Sequence, residues 1–402
     1  MCETLIQKYP TEPVLHELAA NCSAAIGNLT RAAEALEAVI RYAPNHAAPH
    51  IALARLLRKT GQVREAEIHL NTATRKEPLS FSAWYQLGLL LLKEKRLEEA
   101  ALCGEHTTAI SKKNPAGWEL SASIAQRSGH LGKATELLRR GIEFAPDAAR
   151  LHYSLGQLLR ENCQFDEAAK AYFKAEQLGF LTPDLFRNQS EAHFDAGNVH
   201  QAQTCLTRGI GKFPDHPVLH RENARLKAET DPSRDPLEEL IAACRRHPKT
   251  AELWQISVEL LNRLDRKEEA SALLKEAGSS GCPSTEAIMT LRAQEAADKG
   301  SFETATHLFD HILRASPGSL GARIAFGTFL LKRGEYGKAE EQFRAILKAS
   351  AHDQLALCYL ATTLELAGDE RASDLLDYER MVFRVPIDPP PTFKDRPAYF
   401  AA

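Results

Sequence analysis

No stretch of the sequence approaches the roughly 20 consecutive apolar residues that a membrane-spanning helix needs, so no membrane partner is expected. Charge of one sign is scarce as well. With 50 basic against 53 acidic side chains, the formal net charge of −3 offers no bulk attraction to nucleic acid or anionic lipid. Aromatic residues make up only 7% and are not regularly spaced for stacking on bases, so no nucleic-acid partner is expected either. Eight cysteines are scattered without a C-x-x-C pair, and Met1 to Leu15 lack a basic start followed by an apolar core. Both point to a reduced, cytoplasmic setting. The motifs of nucleotide and acyl-transfer enzymes are missing: no G-x-S-x-G, no phosphate loop, no G-x-G-x-x-G. No cofactor and no catalytic constellation is therefore expected.

What is present is a period. In the stretch Leu155 to Ala175, Leu155 and Leu159, then Ala168, Tyr172 and Ala175, fall three or four residues apart. Each run gives a helix one apolar face. The polar gap Glu161-Asn162-Cys163-Gln164 is short enough to force two antiparallel helices, and the small residues Gly156 and Ala168 suit close approach of their backbones. This pair recurs in three columns. The residue between the helices runs Gly27, Gly61, Lys95, Gly129, Cys163, Gly197, Asp231 and Asp265, then gains one residue and resumes at Gly300, Gly334 and Gly368. Glycine suits a helix end of positive φ. A small residue early in each second helix gives Ala32, Ala66, Ala100, Ala134, Ala168, Ala202, Ala270, Ala305 and Ala339. Prolines that cannot continue a helix follow it at Pro44, Pro78, Pro146, Pro214, Pro248 and Pro317. The columns predict about eleven helix–turn–helix units, beginning near Pro13, Ala47, Phe81, Pro115, Ala149, Pro183, Pro217, Ala251, Glu286, Leu320 and Gln354. A lone helix of this length is marginal in water, so each pair must bury its face on its neighbours.

The period has irregular places. The seventh unit carries Pro236 where the alanine belongs, with Asp235 as the expected N-cap and Pro236 as first residue of a shortened second helix. A bend or hinge at 229–236 is the functional reading of this irregularity, and a tolerated sequence defect is the alternative that the sequence favours. Gly278-Ser279-Ser280-Gly281-Cys282-Pro283 holds the inserted residue and predicts a longer turn. Residues 1–12 read as the end of an unpaired second helix, residues 13–376 as the stack, and 377–402 as a helix end followed by a linker with Pro389-Pro390-Pro391. Both ends look cut.

Trp84, Leu87, Gly88, Leu91 and Ala100 in the third unit, with Trp118, Gly129, Ala134 and Pro146 in the fourth, resemble the tetratricopeptide repeat family, over about nine-tenths of the chain. The resemblance implies an all-α, right-handed α-solenoid in which the first helix of each pair lines a concave groove. Projected onto that geometry, the groove carries Arg55, Arg58, Lys59, Tyr85, Lys93, Arg127, Tyr153, Arg160, Arg187, Arg221 and Arg225, interrupted by Glu119, Glu161, Glu191 and Glu229. The expected function is a non-catalytic scaffold that binds a protein or an extended peptide with acidic side chains, through guanidinium–carboxylate pairs and contacts with Tyr85 and Tyr153. Neither the Asn/Lys carboxylate clamp of chaperone-binding repeats nor the asparagine ladder of glycosyl-transferring relatives is reproduced. The tail from Asp377 through Tyr378, Val385 and Pro389 to Phe393 is similar to the junction that precedes a 2-oxoglutarate/Fe(II) oxygenase domain in some bacterial repeat proteins. The alternative it implies is a substrate-recruiting arm of a longer enzyme with a fused or downstream catalytic domain.

Three further patterns resemble chemistry. His193-Phe194-Asp195 has the H-x-D form of half an iron triad, but residues two apart on a helix diverge. His46/His50, His216/His220 and His307/His311 have the four-residue spacing of a helical zinc site, without its glutamate. His16, His50, His152 and His220 also occupy the column held by Trp84, Trp118 and Trp254, so repeat packing accounts for them. Cys163 and Cys205 are expected to be small apolar helix residues of low reactivity. No metal site is expected.

Overall fold

The computed structural model describes residues 2–230, 235–350, 353–369 and 371–372. The proline-rich tail at 377–402 and residues 231–234 of the expected bend lie outside them. Among the described residues every regular element is an α-helix. After α1 (Cys2–Lys8) come α2 (Pro13–Ala25) with α3 (Leu29–Tyr42), α4 (Ala47–Lys59) with α5 (Val63–Lys76), and α6 (Phe81–Lys93) with α7 (Leu97–Ile110). The pairs continue as α8 (Pro115–Arg127) with α9 (Leu131–Phe144), α10 (Ala149–Glu161) with α11 (Phe165–Gln177), and α12 (Pro183–Asp195) with α13 (Val199–Lys212). Then follow α14 (Pro217–Thr230) with α15 (Glu238–Arg246), α16 (Ala251–Arg263) with α17 (Lys267–Ser279), α18 (Glu286–Asp298) with α19 (Phe302–Ala315), and α20 (Leu320–Lys332) with α21 (Tyr336–Ala349). The last described helix is α22 (Gln354–Ala367). The eleven first helices begin on the eleven residues that the columns indicate.

The columns have distinct physical jobs. Seven inter-helix glycines sit at φ between 71° and 82°, and Lys95, Cys163 and Asp265 hold the same left-handed turn at 61°, 57° and 57°. The alanine column is buried throughout, at 0–3% exposure, where a second helix presses on its partner. Gly156 does something other than admit a backbone. A Cβ there would come within 2.7 Å of the Tyr172 ring, and one at Gly327 within 2.5 Å of Phe343. Each glycine is the floor on which an aromatic ring of the next helix lies.

The chain divides into two compact units, Met1–Phe213 and Pro214–Ala402. In the first, one core runs from Ala20 to Ile124 and a second from Trp118 to Ala192. In the second unit the cores run from Ala224 to Leu291 and from Ala293 to Ala372. Within the first unit α4, α6, α8, α10 and α12 touch in succession, whereas among the described residues successive second helices make no comparable contact. The same holds for α14, α16, α18, α20 and α22 in the second. From α4 to α12 in the first unit, and from α14 to α22 in the second, first helices thus form a continuous layer.

The irregular places are local. α15 is cut to nine residues as expected, but its N-cap is Leu237, and Asp235 and Pro236 stay in the preceding turn. The Asp235 carboxylate accepts from Leu237 N at 3.0 Å and holds Arg266 through both oxygens at 2.8 and 2.7 Å, which keeps it off the helix axis. The inserted residue lengthens the connection from Ser279 to Glu286, with Gly281 at φ 79°. Among the described residues no helix is long and apolar enough to cross a membrane.

Candidate functional site

The first-helix layer of each unit carries the side chains projected onto a groove. In the first unit, Arg55 on α4 and Arg127 on α8 are exposed, while Arg58, Tyr85, Tyr153, Arg160 and Arg187 are half-buried. Arg221 and Arg225 on α14 of the second unit are exposed. Position alone therefore places these residues on first helices with access to solvent.

Their charge is largely met by the chain itself. Arg160 and Arg187 converge on Glu191, Arg187 at 2.9 Å, and Arg187 also reaches Asp184 at 3.1 Å. Arg221 pairs with Glu222 at 3.3 Å, and Arg225 with Glu222 at 2.9 Å and Glu229 at 3.2 Å. Arg58 donates to Gln86 at 2.9 Å, and Arg127 to the Leu92 carbonyl at 3.4 Å. Arg55 alone among the named arginines has no internal partner among the described residues. Several of these bonds cross from one first helix to the next, so they join successive helix pairs as much as they present charge. Glu119, half-buried beside Arg150 at 3.0 Å, is raised in pKa by that partial burial, with the guanidinium opposing it.

Tyr153 is a joint in the same layer. Its hydroxyl accepts from Asn188 at 2.9 Å and from Gln157 at 3.3 Å. Its ring lies 4.7 Å from Phe180 and 5.7 Å from Tyr172, whose buried hydroxyl has no hydrogen-bond partner. Burial raises the pKa of both phenols. Tyr85 instead stacks on Phe81 at 5.6 Å. Asn188, Gln86 and Glu191 are the layer residues that sequence reasoning undervalued. The signal for Asn188 was its 35-residue offset from Tyr153, about one unit along.

The tryptophan and histidine column proves to be a tie. The ring N–H of Trp84, Trp118 and Trp254 donates to the carbonyl six residues earlier at 2.9, 2.7 and 3.1 Å. The Nε2 of His16, His152 and His220 lies 2.8, 3.0 and 2.8 Å from the equivalent carbonyl, and Arg323 reaches Pro317 O in the same way at 2.8 Å. These seven first helices are thus sewn to the turn that ends the preceding second helix. His50 departs from this and meets His69 of α5 instead, Nδ1 to Nδ1 at 3.0 Å.

The remaining candidates do not assemble chemistry. His193 turns a buried, unpartnered Nδ1 inward while Asp195 is exposed at the helix end. Burial, with Arg208 adding to it, lowers the His193 pKa. His307 and His311 are exposed on α19. Among the described residues no three His, Cys, Asp or Glu side chains converge as a metal would need. Cys205 is buried and its thiol is pushed up to about 11, so it stays protonated near neutrality. Cys163 differs from expectation: it is exposed in the inter-helix turn, because the column it occupies is the left-handed one.

Family models described as tetratricopeptide repeat match residues 24–88, 120–183 and 290–369, together just over half of the chain. The tetratricopeptide repeat-containing protein trd-1 of Caenorhabditis elegans is 21% identical over 202 residues, 48% of this chain. The match spans only 25% of that relative's length. Among solved structures, pilF of Pseudomonas aeruginosa is 15% identical with a TM-score of 0.44, covering 54% of this chain and 97% of its own. A tetratricopeptide repeat protein from Parabacteroides merdae is 16% identical with a TM-score of 0.42, covering 72% and 96%. With the paired helices and their three columns already in view, the family models, which match just over half of the chain, establish that it belongs to the tetratricopeptide repeat family.

Proposed function

We propose that the protein is a non-catalytic scaffold whose first-helix layer binds an extended peptide or protein segment bearing acidic side chains. The observation that carries this reading is the layer itself. Within each unit first helices touch in succession; they leave Arg55 and Arg127 exposed and Tyr85 and Tyr153 half-exposed in the first, and Arg221 and Arg225 exposed in the second. The internal pairing bounds the affinity. Exposed ion pairs contribute roughly 0–1 kcal/mol each, and micromolar binding needs about 8 kcal/mol. A partner must therefore exchange its carboxylates for those of Glu191 and Glu222 at several places and add apolar contact.

Anisotropy titrations of a labelled acidic peptide, its uncharged amide analogue and a basic counterpart test the reading. The acidic peptide is expected to bind in the micromolar range and weaken as salt rises. Replacing Arg55 and Arg127 with Glu weakens it about tenfold, a loss of ~1.4 kcal/mol over the two sites. Equal binding of all three peptides, or no change in the double variant, contradicts the acidic specificity.

A further inference from the structure

His50 is the exception among the histidines of its column. His16, His152 and His220 turn Nε2 to a carbonyl six residues back, whereas the Nε2 of His50 is buried without a hydrogen-bond partner. Leaving a buried ring nitrogen unpaired is costly, so something must favour the alternative orientation. In that orientation its Nδ1 faces the Nδ1 of His69 at 3.0 Å, across the α4–α5 pair. At the same 19-residue offset, His16, His152 and His220 are matched with Ala35, Ala171 and Glu239, so no other histidine of the column faces an imidazole at that position.

We propose that His50 and His69 form a two-imidazole site for a late first-row divalent cation, with zinc the simplest case. Bonds of about 2.0–2.1 Å from both Nδ1 atoms at a tetrahedral angle separate the nitrogens by about 3.3 Å, so the pair opens by a few tenths of an ångström. The two rings come from adjacent, tightly packed helices, and His50 is only 6% exposed, so the bite is held rather than sampled. The pair is neutral when it shares one Nδ1 proton. Binding through both Nδ1 atoms requires both rings as the Nε2–H tautomer, so the donating ring moves its proton to Nε2 and none is released. Glu37 and Glu65 place negative charge near His69, and Lys76 places positive charge near His50. With no third protein ligand among the described residues, water completes the coordination, which makes the site open and exchangeable.

The test is zinc titrated calorimetrically into the reduced full-length chain, beside His69→Gln, His50→Gln and His50→Trp. Exposed cysteines and other histidines give a background common to all four. Wild type is expected to bind one additional zinc ion, lost in each variant while helicity is kept. Long-range proton–nitrogen spectra should show zinc-induced shifts at the Nδ1 of two rings. If His50→Gln unfolds early, the other two variants carry the comparison: position 69 is half-exposed, and His50→Trp installs the ring that Trp84 and Trp118 already use. Equal stoichiometry and affinity in wild type and His69→Gln overturns the proposal.

Discussion

Cys163 occupies a turn at φ 57° in a column where seven glycines sit at 71–82°. A side chain in the left-handed region costs roughly 1–2 kcal/mol, part of which glycine gives back through its looser unfolded state. Cys163→Gly is therefore expected to stabilise the protein by about 0.5–1 kcal/mol, read as a higher urea midpoint at unchanged slope. Gly156→Ala should do the reverse, since its methyl would meet the Tyr172 ring. Histidines add a pH dependence of definite sign. His220 and His193 are both lowered from 6.5, in each case first by burial, while the Pro214 carbonyl opposes the shift at His220. Protonation thus favours the unfolded chain. Their contribution is complete above pH 6.5 and is lost as pH falls below it, so the urea midpoint should drop between pH 7.5 and 5.0. Replacing both histidines with Gln should flatten that drop. The turn column could be read from sequence because one backbone geometry constrains one position. The role of Gly156 could not, since it depends on which ring a neighbouring helix brings.

A first helix is held by more than its apolar stripe. The indole N–H of Trp118 reaches the Lys112 carbonyl at 2.7 Å, and Trp118 is 4% exposed with its ring over Gly141. Trp118→Phe keeps much of the apolar contact and leaves that carbonyl unpaired, so a loss of about 1–2 kcal/mol is expected in chemical denaturation. Hydrogen exchange should localise the loss to the turn between α7 and α8. The column of rings was visible in the sequence, whereas the carbonyl it ties was not, because the bond spans a turn of irregular backbone. The same limit explains α15. Pro236 signalled a late helix start, but the start moved two residues further once Arg266, a unit away in sequence, held Asp235 in the turn. Exposed pairs such as Arg245 with Glu276 at 2.8 Å recur between units and add little singly, roughly 0–1 kcal/mol each.

Across the molecule, eleven first helices start where a 34-residue period with one insertion puts them, because each unit repeats one local packing solution. The residues projected onto a groove were legible only as positions on first helices. Which arginines are free depends on rotamers and on carboxylates one helix away: Glu191 and Glu222 each take two guanidiniums that sequence reasoning left for a partner. The two compact units each carry a first-helix layer, and the binding reading assigns the partner to that layer rather than to the second helices. Hydrogen exchange of the full-length chain with and without a saturating acidic peptide measures this most directly. The account predicts added protection in α4, α6, α8, α10 and α12, with the exposed second helices unchanged. Protection confined to second helices such as α5, α7 and α9, or none in any first helix, would contradict it.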